Sequence, residues 1–187
     1  MNEWNEGYFT GSSYNFGYFR ELNPVYMRFI LNARGLAALP PSKDERHLEL
    51  GYGQGVSLNI HAASNDAEYY GTDFNPAHAA GAEELRAATG NDKAFFFDDS
   101  FDELLQRDLP KFDSVSFHGI WSWISEENRK HIVEIIRKFL KPGGVVYNSY
   151  NCLPGWAPMS VLRELLALYR TYGGGMGTMW KRRWAAR

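Results

Sequence analysis

"HLELGYGQGVSLNIH", residues 47–61, is the stretch whose reading decides the fold of this chain. An apolar run carrying Glu49 breaks into three alternating glycines, Gly51, Gly53 and Gly55, and then resumes. The run before the glycines has the length and character of a buried strand, and "GVSLNIHAAS" after them opens a helix. Glycine at a strand-to-helix turn lets backbone approach a ligand where a Cβ would collide.

The pattern repeats on both sides of the turn. "AEYYGTDF", "KAFFFDD", "FDSVSFHGI" and "VVYNSYN" read as four further strands. Helix-length segments separate them. "NPAHAAGAEELRAATGN" has Asn75 as cap, Pro76 at the first position and Gly90 at the end. "SFDELLQRDL" carries a capping box from Ser100 to Glu103. "SEENRKHIVEIIRKFLKPGG" starts at Ser125 and is expected to stop at Pro142-Gly143-Gly144, and "APMSVLRELLALYR" follows the fifth strand. Strands joined by helices imply right-handed crossovers and a parallel sheet covered on both faces. The expected fold is α/β, a doubly wound, mainly parallel Rossmann-like sheet whose ligand lies beyond the carboxyl ends of the strands.

Residues 46–187 form the expected globular domain. Residues 1–45 precede it as a helix, "ELNPVYMRFILNARG" with Asn23 as cap, behind an aromatic segment containing Tyr8, Phe9, Tyr14, Phe16, Tyr18 and Phe19. That segment has no clean period and is either a loop or a strap lying over something. His61 and His131 fall within helical patterns and are expected on their surfaces.

The totals exclude several classes. The 187 residues are 44% hydrophobic and 22% charged, which fits one soluble globular unit. Twenty basic against 22 acidic residues leave no field to attract nucleic acid or an anionic membrane, and the basic tail "WKRRWAAR" is too short to change that. No apolar run is long enough to span a bilayer, and the N-terminus lacks the charge and hydrophobic pattern of a secretory signal. The single cysteine, Cys152, has no partner for an internal disulfide and no ligand cluster near it in sequence. A cytoplasmic protein without metal is expected.

What the turn holds follows from its register and charge. A dinucleotide fingerprint, G-x-G-x-x-G, begun at Gly51 would need its third glycine at Val56, and nothing nearby offers phosphate a basic partner. Glu49 would repel a pyrophosphate but favour a cation. S-adenosylmethionine carries a sulfonium and an ammonium group and no phosphate, and Asp73 at the end of "GTDF" could accept hydrogen bonds from its ribose.

Together these segments resemble the class I S-adenosylmethionine-dependent methyltransferases, over roughly residues 44–165: the E-x-G-x-G-x-G turn, the acidic second-strand end, "FFFDDSFDEL", "FDSVSFHGIWSWI" and "LKPGGVVYNSYN". "YFRELNP" and "SYNCLPGW" are similar to one bacterial subgroup, some of whose members carry a regulatory domain. The resemblance implies a donor site of Glu49, Gly51, Tyr52, Gly53, Asp73, Phe74, Asp99 and Ser100, with Asp99 at the adenine amino group. His118 and Trp121 would lie at its edge, Trp121 as an aromatic face for the sulfonium. His118, Tyr150 and Asn151 are the candidate catalytic residues, His118 either a base or a packed residue. S-adenosylhomocysteine would be the product and a small molecule the acceptor. The family's last two strands are missing or atypical here, so an open sheet edge could pair two copies. The alternative is a non-catalytic module that binds the donor and regulates.

Overall fold

Alternation of side chains along two central strands turns apolar residues of those strands to one face of the sheet and polar ones to the other, and the site grows from that difference. The computed structural model describes residues 14–166, 168 and 169. Tyr8, Phe9 and the basic tail lie outside the described residues. The chain forms two compact units, Met1–Tyr150 and Asn151–Arg187, so the N-terminal helix belongs with the sheet.

In the first unit a single 3-10 turn, Arg20–Leu22, leads into α1 (Pro24–Ala33). Then come β1 (Arg46–Leu50), α2 (Val56–Ser64), β2 (Glu68–Thr72), α3 (Pro76–Thr89), β3 (Ala94–Phe97), α4 (Phe101–Gln106), β4 (Phe112–His118), α5 (Glu126–Phe139) and β5 (Leu140–Ser149). The strands lie in the order β3-β2-β1-β4-β5 and every pairing is parallel. The chain reverses its winding direction between β1 and β4, the position where open α/β sheets hold their ligands. Among the described residues β5 pairs only with β4, and no sixth or seventh strand follows it.

Local chemistry sets the helix ends. Asn23, Asn75 and Ser125 each accept a hydrogen bond from a backbone N–H of the first turn. Ser100 and Glu103 form the reciprocal capping box, and Gly90 closes α3 in the left-handed region at φ 64°. One boundary departs from expectation. α5 ends at Phe139, Leu140 is already extended, and Pro142-Gly143-Gly144 lies inside β5. Leu140 pairs with Phe112, and the next partners are Val145 and Ser114, so Lys141 and these three residues bulge out of the ladder opposite Asp113.

Leu48 and Leu50 of β1, with Val115 and Phe117 of β4, point into a core built with Phe101, Leu104, Ile132, Ile135 and Phe139 from α4 and α5. Tyr52, Leu58, Tyr69, Ala82 and Ala94 make a second cluster between the sheet, α2 and α3. The residues between those leucines and valines, His47, Glu49, Ser114 and Ser116, face the opposite way and are buried although polar. In the second unit a turn precedes a helix over residues 157–166 whose Val161, Leu162, Leu165 and Leu166 are exposed.

Candidate functional site

Glu49 ends up on the polar side of β1 because Leu48 and Leu50 take the apolar side. It is 8% exposed, lines the cleft at the carboxyl end of the sheet, and accepts no hydrogen bond among the described residues. Burial, and then the charge of Asp73, push its carboxyl up to about 8. Asp73, just past β2, is as buried but well supplied with donors. Its Oδ2 accepts from Gly53 N at 2.8 Å, and its Oδ1 accepts from Asn75 N at 3.1 Å. One carboxyl waits for a donor while the other holds the glycine turn.

All three glycines of that turn have positive φ, between 58° and 73°. They serve different neighbours. A Cβ on Gly53 would lie 2.8 Å from Cδ1 of Tyr14, and one on Gly51 would run into Ile120. A Cβ on Gly55 would lie 2.5 Å from Cβ of Ala82, so the third glycine lets α2 approach α3. Tyr52 is buried, lines the cleft, and donates its hydroxyl to Phe97 O at 2.9 Å, tying the turn to β3.

The remaining expected residues divide. His118 closes β4, lines the same cleft as Glu49 and Gly51, and stacks on Phe19 with ring centroids 4.3 Å apart. Its Nδ1 lies 3.0 Å from Ser149 Oγ, which also accepts from Gly119 N. Burial lowers the imidazole pKa, so the ring is neutral near pH 7. Asp99 is engaged elsewhere: Arg107 binds its carboxylate with two guanidinium nitrogens, and the Arg107 guanidinium lies over Phe97. Asp98, immediately after β3, is exposed and accepts no hydrogen bond among the described residues. Ser100 is occupied by its cap. Phe74 is half-buried beside Asp73 in the chain. Trp121 packs against the apolar core near Phe117 and under Arg129, rather than presenting a face to the cleft. Tyr150 is exposed at the end of the first unit, and Asn151 opens the second.

His61 is not on a helix surface: it is 1% exposed, beside Tyr18 and Tyr69, and burial followed by the charge of His47 takes its pKa down to about 4. Helix α2 packs on β2, β3 and α3, which buries its inward face, and its sequence alone does not disclose this.

From Tyr14 onward, the described part of the N-terminal aromatic segment proves to be a strap. Tyr14 O accepts from Gln54 Nε2, Phe19 N donates to Ser57 Oγ at 2.8 Å, and Tyr14, Gly17 and Phe19 line the cleft with Glu49. The cavity left beneath it is about 10 Å³, room for about one water. Residues that sequence reasoning missed are His78, 3.1 Å from Asp73, together with Ser149 and Arg107. A histidine one turn into the helix after "GTDFNP" was visible as a neighbour of Asp73, but only the fold shows it turned back.

A Rossmann-like sheet with two buried acids and a glycine turn at its switch point has the architecture of an open α/β domain whose ligand site lies at the carboxyl ends of its strands. The comparisons with known proteins make that class specific. A family model described as a methyltransferase domain matches residues 48–146, and the chain belongs to that family, the S-adenosylmethionine-dependent class I methyltransferases. An uncharacterised protein of Synechocystis is 41% identical over 167 residues, 89% of this chain and 33% of its own length. One from Rickettsia prowazekii is 31% identical, across 81% of this chain and 60% of its own length. The solved structure of PKMT2 from Rickettsia typhi in complex with AdoHcy (S-adenosylhomocysteine) superposes with a TM-score of 0.73 at 27% identity. It matches 85% of this chain and 31% of that one, so this chain spans about a third of the longer relatives. S-adenosylmethionine is the family's methyl donor, and the residues here fit it: Glu49 is a buried carboxyl without a partner, aimed into the cleft beside bare glycine backbone.

Proposed function

We propose that this chain binds S-adenosylmethionine at the first turn and transfers its methyl group directly to a small-molecule acceptor in the cytoplasm. The observation that carries the reading is Glu49, buried, unengaged and lining the cleft, next to an Asp73 that anchors the glycine turn. When bound, the donor supplies an electrophilic methyl on a sulfonium, a good leaving group that needs alignment more than acid-base help.

The chain's own groups provide the alignment. Glu49 receives the ammonium end, Gly51 and Gly53 give backbone room beneath the ribose, and Asp73 accepts from a ribose hydroxyl. Asp98, with its carboxylate unengaged, takes the adenine amino group in place of Asp99, which Arg107 holds. His118, neutral and fixed at Nδ1 by Ser149, leaves Nε2 to accept a proton from an acceptor group. Tyr150 and Asn151 follow β5 in sequence and are the further candidates for orienting the acceptor.

A second reading, a module that holds the donor without turnover, predicts donor binding alone. One experiment separates the two. The purified chain is incubated with methyl-labelled S-adenosylmethionine and, in parallel, with small-molecule and protein fractions of a bacterial extract. Label in the small-molecule fraction, lost in His118→Ala, supports the first reading. Donor binding with no label transferred supports the second, and label in protein alone overturns the small-molecule acceptor.

A further inference from the structure

A cavity of about 450 Å³ opens at the other end of the sheet, where the strands begin. Glu45, just before β1, and Ala67, just before β2, line it with the start of α1. This cavity and the cleft at the glycine turn therefore lie at opposite ends of β1. Its volume is that of a small-molecule site, about 300–1,000 Å³.

The charges that line it leave one cation uncommitted. Arg28 pairs with Glu45 and donates from Nε to Leu39 O at 3.1 Å. Glu45 is also faced by His47, whose Nε2 lies 3.1 Å from its Oε1. Asp66, exposed at the rim, is paired with Lys93, and Lys43 acts on it only at a distance. Lys43 is exposed at the same rim and has no ion pair or hydrogen bond among the described residues. Much of the remaining wall is apolar. Pro24 and Ala67 are buried, Val25 and Pro41 are exposed, and Tyr69 is 4% exposed with its ring beside that of His47. One free cation beside an apolar wall suits a ligand with a single negative charge and a hydrocarbon body. A phosphate would bring a second charge with no partner, and an ammonium group would meet Lys43.

We propose that this cavity is a second ligand site that takes a small monocarboxylate, its charge on Lys43 and its hydrocarbon body against Val25, Pro41, Ala67 and Tyr69. The site stands apart from the glycine turn, and nothing in it depends on what the cleft there binds.

Octanoate is the probe, titrated into the full chain beside octanol and octylamine and followed by amide NMR shifts. Octanoate should move the signals of Ala67 and Tyr69 and leave those of Gly51 and Gly53 in place. Decanoate should bind about tenfold more tightly, since each buried methylene contributes roughly fourfold. The charge is tested at Lys43. Because that side chain is exposed, Lys43→Met should weaken octanoate only about threefold to fivefold, and octanol not at all. Val25→Asp sets an anion against the ligand at a half-exposed position in the first turn of α1, where an acid suits the helix. It should abolish octanoate binding in a chain that still folds. The proposal is overturned if octanoate leaves Ala67 and Tyr69 unmoved, or if octanol or octylamine binds as tightly. Equal octanoate affinity in the wild type and Lys43→Met overturns it too.

Discussion

Glu49 and Asp73 lie at the carboxyl ends of neighbouring strands, are equally buried, and have opposite hydrogen-bonding circumstances. With its carboxyl pushed up to about 8 by burial and then by Asp73, Glu49 is mostly protonated at neutral pH until a cation arrives. An ammonium group selects the ionised form, so donor binding expels a proton. The affinity for AdoHcy should therefore rise with pH between 6 and 7.5, by up to about tenfold per unit. Glu49→Gln should remove that slope and weaken binding about tenfold at pH 8, about 1.4 kcal/mol. Titrations at three pH values check both, and a wild-type affinity independent of pH contradicts the assignment. The sequence showed this acid, because a carboxyl just before bare glycine is conspicuous. It did not show that Arg107, eight residues away, occupies Asp99, since that pairing depends on the shape of the α4 capping turn.

At the scale of elements the glycine turn, the strap and β5 were legible to different degrees. Strand and helix order followed from alternating apolar runs and capping residues, all local signals. The strap did not, because its aromatics have no period of their own and find their places only against other elements: Tyr14 on Gly53 of the turn, Phe19 on His118 at the end of β4. The bulge at Pro142-Gly143-Gly144 was read as a helix stop, since those residues break either element and only the pairing with β4 decides which. Two predictions belong here. Gly55→Ala puts a Cβ 2.5 Å from Ala82 at φ 68°, which should cost about 1–3 kcal/mol and lower the melting temperature by several degrees. Thermal unfolding measures it, and an unchanged melting point contradicts the packing role of that glycine. The cavity under the strap, about 10 Å³, is far below the volume of a nucleoside ligand. Donor binding must then move the strap, and hydrogen exchange over residues 14–22 should change on adding AdoHcy while the backbone of β1 stays protected.

For the molecule as a whole, two buried groups tilt stability in opposite directions with pH. The imidazole of His61 is taken down to about 4, so the unfolded state binds the extra proton, and stability is lost as pH falls from 6.5 towards 4. The Glu49 carboxyl is raised, so the folded state binds the extra proton, and stability is lost as pH rises from 4.5 towards 8. The ligand-free chain should be most stable in mildly acidic solution. Glu49→Gln should be the more stable protein at pH 8, by a margin that shrinks towards pH 5, as denaturant unfolding would show. A site that destabilises its own ligand-free fold is what a buried carboxyl kept for a cation entails. The five-stranded sheet carries every residue assigned to the donor, from β1 to β4, whatever adjoins the edge of β5 in the longer relatives. The central claim is that this part alone holds the donor. Calorimetric titration of the chain with AdoHcy, beside Asp73→Ala, tests it most directly. The account predicts micromolar binding, weakened about tenfold or more by the substitution. A folded wild-type chain that gives no heat, or an Asp73→Ala chain that binds as well as the wild type, would contradict it.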